Sequence, residues 1–237
     1  MKYFVCNFKN KLNKEDIVKY NNRLRELVVK KVKLVISPSL PFLAFFDKGD
    51  YSLGSQDISS FMDKTITGEV SGEQLKSLGV EYVIVGHSER RMYNNEINIT
   101  FINKINNALE NDIKVIYCIG ESAKDKEDGN TYVVLEKQIS EVLNNVEVKN
   151  IIIAYEPVWA IGTGKVPKLK EIKETIEFIK DIILEKYDTK LDVLYGGSVN
   201  KDNIKEINAI KGVDGVLVGG ASLQVTSVID MLHELEN

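Results

Sequence analysis

Glu156 and His87 each follow a short apolar run, which is where a chain of alternating strands and helices places its reactive groups. Glu156 comes after residues 151–155 and precedes Pro157, and His87 follows residues 82–86. Partial burial makes a carboxylate a stronger base, because water no longer stabilises its charge. The start of a helix disfavours imidazolium, so a neutral histidine there can donate a hydrogen bond. The two residues indicate a base and a donor for a substrate carbonyl.

Both residues also have ordinary structural interpretations. A lone histidine more often completes a structural hydrogen bond than it catalyses a reaction, and Glu156 could pair with Arg90 or Lys165. The other histidine, His233, lies in the last helical pattern and is expected to face solvent. With two histidines and no clustered carboxylates, the sequence predicts no metal site.

Asn7 and Lys9 follow the first apolar run, at the same edge of a parallel sheet. Lys9 could be an ordinary surface charge. If its side chain instead faces inward, it supplies a fixed positive charge near the centre of that edge.

Two glycine pairs follow the last two apolar runs. Gly196 and Gly197 precede Ser198, and Gly219 and Gly220 form the second pair. Glycine lets the backbone approach a ligand closely, and a helix start just beyond offers free N–H groups. The pairs could simply make tight turns. Their occurrence after runs seven and eight favours a phosphate site of the kind common in barrels.

Residues 157–165 have the composition of a mobile loop. Gly162 and Gly164 give backbone freedom, and the apolar residues before them could cover a site and exclude water. Trp159 could equally be a core aromatic. The segment is not a P-loop, since Val166 follows the lysine, and the G-x-G-x-x-G dinucleotide pattern does not follow any strand.

Eight short apolar or β-branched runs must position these residues, and several are apolar at every position. Continuous apolar runs are typical of strands covered on both faces. The runs are residues 3–8, 34–37, 51–55, 82–86, 115–118, 151–155, 192–195 and 215–218.

Helical patterns separate the runs, with helices expected at 13–31, 97–112, 132–143, 168–187 and 222–235. Alternating strands and helices imply a parallel sheet, either open and doubly wound or closed. Eight units of even length favour a closed (β/α)8 barrel, because closure protects both sheet edges. No linker divides the chain, so a single domain, 1–237, is predicted.

The overall composition argues against nucleic-acid and membrane partners. The 237 residues carry a net charge of -4, with a pI of about 5.4, so no broad basic surface exists. The first apolar run is too short for a signal peptide, and no run approaches membrane-spanning length. Cys6 and Cys118 lack metal-ligand spacing and suggest no disulfide framework. We expect a cytoplasmic protein.

Six segments carry these polar residues in a fixed order. They are NFK at 7–9, GHSERR at 86–91, CIGE at 118–121, AYEPVWAIGTGK at 154–165, YGGSV at 195–199 and LVGGASL at 217–223. In this order they resemble the triosephosphate isomerase family, and the resemblance covers essentially the whole chain. It implies a TIM barrel that interconverts dihydroxyacetone phosphate and D-glyceraldehyde 3-phosphate, in glycolysis and gluconeogenesis.

The resemblance also implies roles in proton transfer. Glu156 removes a proton from the carbon beside the carbonyl and returns it to the neighbouring carbon. Neutral His87 polarises the carbonyl and moves protons between the two oxygens of the enediolate. Lys9 and Asn7 stabilise the developing negative charge, and Glu89 orients Lys9.

A phosphate site and a lid are implied in the same way. The amides of Gly162, Gly219 and Gly220, together with Ser198, hold the phosphate, and closure of residues 157–165 protects the enediolate from water. The reaction so implied needs neither cofactor nor metal, because the substrate's carbonyl makes the proton acidic enough with electrostatic help.

The family is normally a homodimer, joined by a loop after the third strand, which here lies between Lys64 and Ser71. The tip of that loop departs from the family pattern, since Lys64-Thr65-Ile66 replaces Gly-Ala and an aromatic residue. Phe8 replaces a tryptophan, and Asp57 replaces an asparagine.

The lid's far end also departs from the family pattern. After Lys165 the chain continues with Val166-Pro167, a shorter connection than the family has, so the usual latch from Tyr195 to this end is expected to be altered.

Two other functions are compatible with such a barrel. A different sugar-phosphate enzyme would share the glycine pairs but need another acid–base set. A non-catalytic binding module would be expected to lose Asn7, Lys9, His87 and Glu156, yet all four are present.

Overall fold

Eight parallel strands form the centre of the computed structural model, which describes residues 2–46 and 49–236. The strands are β1 (Lys2–Asn7), β2 (Val32–Ser37), β3 (Ser52–Ser55), β4 (Val80–Val85), β5 (Lys114–Ile119), β6 (Ile151–Tyr155), β7 (Val193–Tyr195) and β8 (Gly215–Val218). They pair in sequence order, and β1 also pairs with β8, so the predicted closed barrel is confirmed and the open sheet is excluded. Of the predicted domain 1–237, Met1, Asp47, Lys48 and Asn237 lie outside the described residues.

Helices follow the strands and cover the outside of the barrel. The α-helices are α1 (Lys14–Leu24), α2 (Gly72–Ser77), α3 (Ser88–Tyr93), α4 (Asn98–Glu110), α5 (Ala123–Glu127), α6 (Thr131–Leu143), α7 (Leu169–Tyr187), α8 (Ile204–Ala209) and α9 (Val225–Glu236). The helices predicted at 97–112, 132–143 and 168–187 are confirmed as α4, α6 and α7. No helix in the described ranges is long and apolar enough to cross a membrane.

Two helices differ from their predicted extents. The helix predicted at 13–31 ends at Leu24. The prediction was too long because Leu27, which continues the apolar spacing, packs on the core from an irregular segment. The helix predicted at 222–235 begins at Val225, after a 3-10 turn. The short helices α2, α3, α5 and α8 have five or six residues each, too few to show a helical repeat in the sequence.

Side chains of each strand alternate between two packed layers. Along β6, Ile152 and Ala154 point into the barrel, while Ile151, Ile153 and Tyr155 pack against the helices. Because both faces are covered, every residue of this strand is apolar, as the sequence pattern indicated.

Four charged side chains form a cluster that joins the loop after β3 to the segment around α3 and to α4. The members of this charged cluster are Asp57, Arg90, Glu96 and Lys104. Buried Lys104 lies with its Nζ 2.5 Å from Asp57 Oδ1 and 2.6 Å from Glu96 Oε1, and Arg90 contacts the same two carboxylates. Burial raises the pKa of Asp57, and the positive charges of Lys104 and Arg90 oppose this. The charged cluster thereby fixes two loops beside the C-terminal end of the barrel.

Candidate active site

The predicted catalytic and phosphate-binding residues line one cleft at the C-terminal ends of the strands. The cleft has a volume of about 220 Å³ and lies among the loops after β1, β4, β6, β7 and β8. Its walls include Asn7, Lys9, His87, Glu156, Gly162, Ser198, Gly219 and Gly220. Glu89 reaches the cleft indirectly, through its contact with Lys9.

Glu156 follows β6 and is almost completely buried, with 2% of its surface exposed. Its Oε1 lies 3.1 Å from His87 Nε2, and its Oε2 accepts a hydrogen bond from the Ser88 amide at 3.2 Å. Arg90, one of its alternative partners in the sequence interpretation, belongs to the charged cluster instead. The carboxylate therefore borders the cleft beside the imidazole.

His87 precedes α3, and its environment selects one tautomer of the neutral ring. Its Nδ1 accepts a hydrogen bond from the Glu89 amide at 3.2 Å, so this nitrogen carries no proton in the neutral ring. The proton is then on Nε2, which faces Glu156. His233 is exposed, as predicted.

Lys9 is held in an unusual backbone conformation by several groups. Its φ of 53° is uncommon for a residue with a side chain. The Lys9 amide donates to Asn7 Oδ1 at 3.0 Å, and Gln56 Nε2 donates to the Lys9 carbonyl at 2.8 Å. The Lys9 ammonium lies 2.5 Å from Glu89 Oε1, so both its backbone and its charge are fixed at the cleft.

The second glycine pair follows β8, which pairs with β1, and so lies beside Lys9. A Cβ on Gly219 would come within 3.1 Å of Lys9 Cε, whereas one on Gly220 would meet no atom within 4 Å. Gly219 therefore makes room for the Lys9 side chain, and Gly220 presents open backbone to the cleft. The Ser198 hydroxyl donates to the Ala160 carbonyl at 2.6 Å, which joins the segment after β7 to residues 157–165.

The first glycine pair also lines the cleft, and both of its members pack closely against neighbouring side chains. A Cβ on Gly196 would lie 2.8 Å from Glu156 Cγ, and one on Gly197 would lie 2.2 Å from the Tyr195 hydroxyl oxygen. That hydroxyl is buried and has no hydrogen-bond partner among the described residues. Pro167, at the far end of the loop, has no N–H to offer it. These features agree with the expected change in the latch.

Residues 157–165, the lid, stand beside the cleft with residues 162–165 exposed to solvent. The lid is anchored near its start, where Trp159 Nε1 donates to Glu121 Oε1 at 2.8 Å. Burial raises the pKa of Glu121, and hydrogen bonds from Trp159 and Tyr155 oppose this. The lid is thus anchored near its start, and its tip is exposed to solvent.

Sequence reasoning missed the roles of three residues around the cleft. Gln56 fixes the Lys9 backbone, and Glu121 anchors Trp159. Gly120 allows the chain after β5 to pass Glu156, since a Cβ there would lie 1.7 Å from the Glu156 carbonyl oxygen. All three follow strands at the same edge of the barrel, and that position was the available signal.

The geometry suits removal of a proton from a carbon beside a carbonyl. A carboxylate, an imidazole N–H and an ammonium group surround one small cleft, so a base, a donor and a positive charge can reach the same molecule. In residues 2–46 and 49–236, no three His, Cys, Asp or Glu side chains gather in a way that would hold a metal ion.

Comparisons with known proteins find relatives that match most of the chain. The sequence model of the triosephosphate isomerase family matches residues 2–235. A triosephosphate isomerase from Alkaliphilus oremlandii is 37% identical over 235 residues, covering 94% of this chain and 95% of that protein. One from Mycoplasmopsis pulmonis is 38% identical over 210 residues (86% and 83%), and one from Dictyoglomus turgidum is 43% identical over 188 residues (76% of each).

Proposed function

The chain belongs to the triosephosphate isomerase family, and from this premise we propose that Glu156, His87 and Lys9 carry out the family's reaction. The enzyme interconverts dihydroxyacetone phosphate and D-glyceraldehyde 3-phosphate, an intramolecular aldose–ketose isomerisation of glycolysis and gluconeogenesis. The observation that carries the assignment is the 3.1 Å separation of Glu156 Oε1 and His87 Nε2 in a cleft that Lys9 also lines.

Glu156 is the base in this proposal. In the structure the His87 Nε2 hydrogen faces Glu156. When substrate binds, its carbonyl oxygen accepts this hydrogen bond in place of Glu156, so the carboxylate is free to turn toward the carbon beside the carbonyl. Glu156 removes a proton from that carbon, and the electron pair moves into the carbonyl to form an enediolate. His87 moves a proton between the two oxygens, and Glu156 returns its proton to the adjacent carbon.

Lys9 and Asn7 stabilise the negative charge of the enediolate. The ammonium of Lys9 is already fixed by Glu89, so little reorganisation is needed when the charge develops. Asn7 supports the Lys9 backbone through its Oδ1 and also lines the cleft. The substrate's own carbonyl makes the proton acidic, so this route requires no cofactor.

The phosphate is bound by the backbone amides of Gly219 and Gly220, with Ser198 and the lid residue Gly162 lining the same cleft. Closure of the lid over the bound substrate brings Gly162 to the phosphate. Closure also excludes water from the enediolate, which in water would lose its phosphate.

Hydrogen exchange with solvent tests the proton-transfer route. When the two triose phosphates interconvert repeatedly in ²H₂O, both are expected to gain deuterium at the reacting carbons, because a carboxylic acid exchanges its proton with water. NMR of the recovered mixture measures this, and heat-inactivated enzyme is the control. A mixture that reaches equilibrium but stays free of deuterium would contradict a route in which the proton held by Glu156 exchanges with solvent.

We also infer a homodimer formed through the loop between Lys64 and Ser71. Phe61, Met62 and Ile66 are exposed apolar side chains in or beside this loop, which a partner would cover. Analytical ultracentrifugation is expected to show a dimer of the 26.7 kDa chain, with Ile66→Asp shifted toward monomer. A monomer at micromolar concentration in the unmodified protein would contradict this.

A cytoplasmic location is the remaining inference. Cys6 and Cys118 are both free and buried, on opposite faces of the barrel wall, as suits a reducing compartment. Cell fractionation that finds the protein outside the cytoplasm would contradict it.

A further inference from the structure

The two ends of the lid are held in different ways, by a long-range hydrogen bond at its start and by the N-terminal cap of α7 after its end. At the start, Trp159 donates its Nε1 hydrogen to Glu121. Beyond the lid's far end the chain enters α7, where the Lys168 amide donates to Glu171 Oε2 at 3.3 Å. These two hydrogen bonds mark the segments about which the lid would move.

Lys126, on α5, contacts both attachments. Its Nζ lies 3.8 Å from the centroid of the Trp159 ring and 3.3 Å from Glu171 Oε2, the oxygen that also accepts the Lys168 amide hydrogen. Three side chains therefore connect the two ends of the lid across the outside of the barrel. We call this group, Trp159, Lys126 and Glu171, the hinge clasp.

The hinge clasp has room to open. Lys126 and Glu171 line a second cavity of about 220 Å³, together with Glu121, Tyr155 and Pro167. Because closely packed side chains cannot move without free space, this cavity lets the clasp rearrange while the core stays packed.

We propose that Lys126 is a positioning residue that stabilises the open lid, by holding Trp159 in contact with Glu121 and using Glu171 as its anchor. The inference rests on the proposed function, in which the lid closes over a bound triose phosphate. Lys126 does not touch the cleft, so it acts on the equilibrium between open and closed lid and leaves the proton-transfer groups unchanged.

The size of the effect follows from the contacts that closure breaks. A partly exposed cation over an aromatic ring and a partly exposed ion pair are each modest interactions, so their loss is expected to favour the closed lid by about three- to fivefold. A ligand that binds the closed lid gains affinity by the same factor, because the open state competes less.

The test compares Lys126→Met with Lys124→Met, which removes a more exposed lysine from the same short helix. The probe is 2-phosphoglycolate, which carries a phosphate and an enediolate-like carboxylate, titrated by calorimetry and by fluorescence of the single tryptophan, Trp159. Lys126→Met is expected to bind it about three- to fivefold more tightly and to lower KM without raising kcat. Lys126→Arg is expected to restore unmodified behaviour, and Lys124→Met to show no change.

Unchanged or weaker binding by folded Lys126→Met, or the same change in Lys124→Met, would overturn the proposal. If Lys126→Met does not fold, Glu171→Gln removes the anchor and is expected to act in the same direction. The emission of ligand-free Trp159 must also differ between Lys126→Met and Lys124→Met. That readout needs no isomerase activity, so a failure of the hinge clasp is distinguishable from a failure of the proposed function.

Discussion

Replacing Glu156 with glutamine is expected to lower kcat by about 10³- to 10⁴-fold, the contribution of a well-positioned general base. Glutamine keeps the volume of the side chain and can still accept a hydrogen bond from the Ser88 amide. It cannot take up a proton from carbon. KM is expected to change little, since the carbonyl and phosphate contact other residues. A coupled assay with glyceraldehyde 3-phosphate and glycerol-3-phosphate dehydrogenase measures both constants.

Two further variants make the result specific to the base. Glu156→Asp keeps a carboxylate but withdraws it by one methylene. Because a displacement of about 1 Å can lower the rate about a hundredfold, its kcat should lie between those of the unmodified enzyme and Glu156→Gln. Glu81→Gln, at an exposed carboxylate on β4, is expected to leave kcat unchanged. Retention of more than about a tenth of the activity in folded Glu156→Gln would contradict the assignment.

The barrel and the candidate groups could be predicted because both depend on patterns that the sequence displays. Continuous apolar runs require strands covered on both faces, as in β6, and parallel strands bring their C-terminal ends together. Glu156, His87 and Lys9 stand just after such runs, so their meeting in one cleft follows from the topology. The resemblance to a family then added roles that residue types alone left open.

The supporting groups could not be predicted, because their effects depend on local backbone geometry. Gln56 matters through the direction of the Lys9 carbonyl, which in turn depends on a positive φ that no sequence pattern encodes. The close packing at Gly196 and Gly197 is a second case, because only the structure shows that a Cβ at these positions would meet Glu156 and Tyr195. The position of Asp57 within a cluster of four charges likewise requires three separate segments to be placed in space.

Lys9→Met is expected to reduce kcat/KM by about a hundred- to a thousandfold, as does the loss of one group that stabilises charge in a transition state. Methionine has a similar length and no charge, so the wall beside Gly219 stays filled while the enediolate loses its cation. Lys11→Met, at an exposed lysine two residues later, is the matched control and should leave kcat/KM unchanged. A folded Lys9→Met enzyme with more than about a tenth of normal kcat/KM would contradict this role.

A second variant, at Glu89, tests whether Glu89 contributes to kcat/KM only through Lys9. Its Oε1 holds the Lys9 ammonium at 2.5 Å, and its Oε2 lies 3.7 Å from His87 Nδ1. If Glu89 only orients Lys9, Glu89→Gln lowers kcat/KM by itself but costs nothing further in Lys9→Met, so the double variant should match Lys9→Met within about twofold. Additive losses would contradict that role. They would instead indicate that Glu89 also acts on His87, whose Nδ1 lies beside its other carboxylate oxygen.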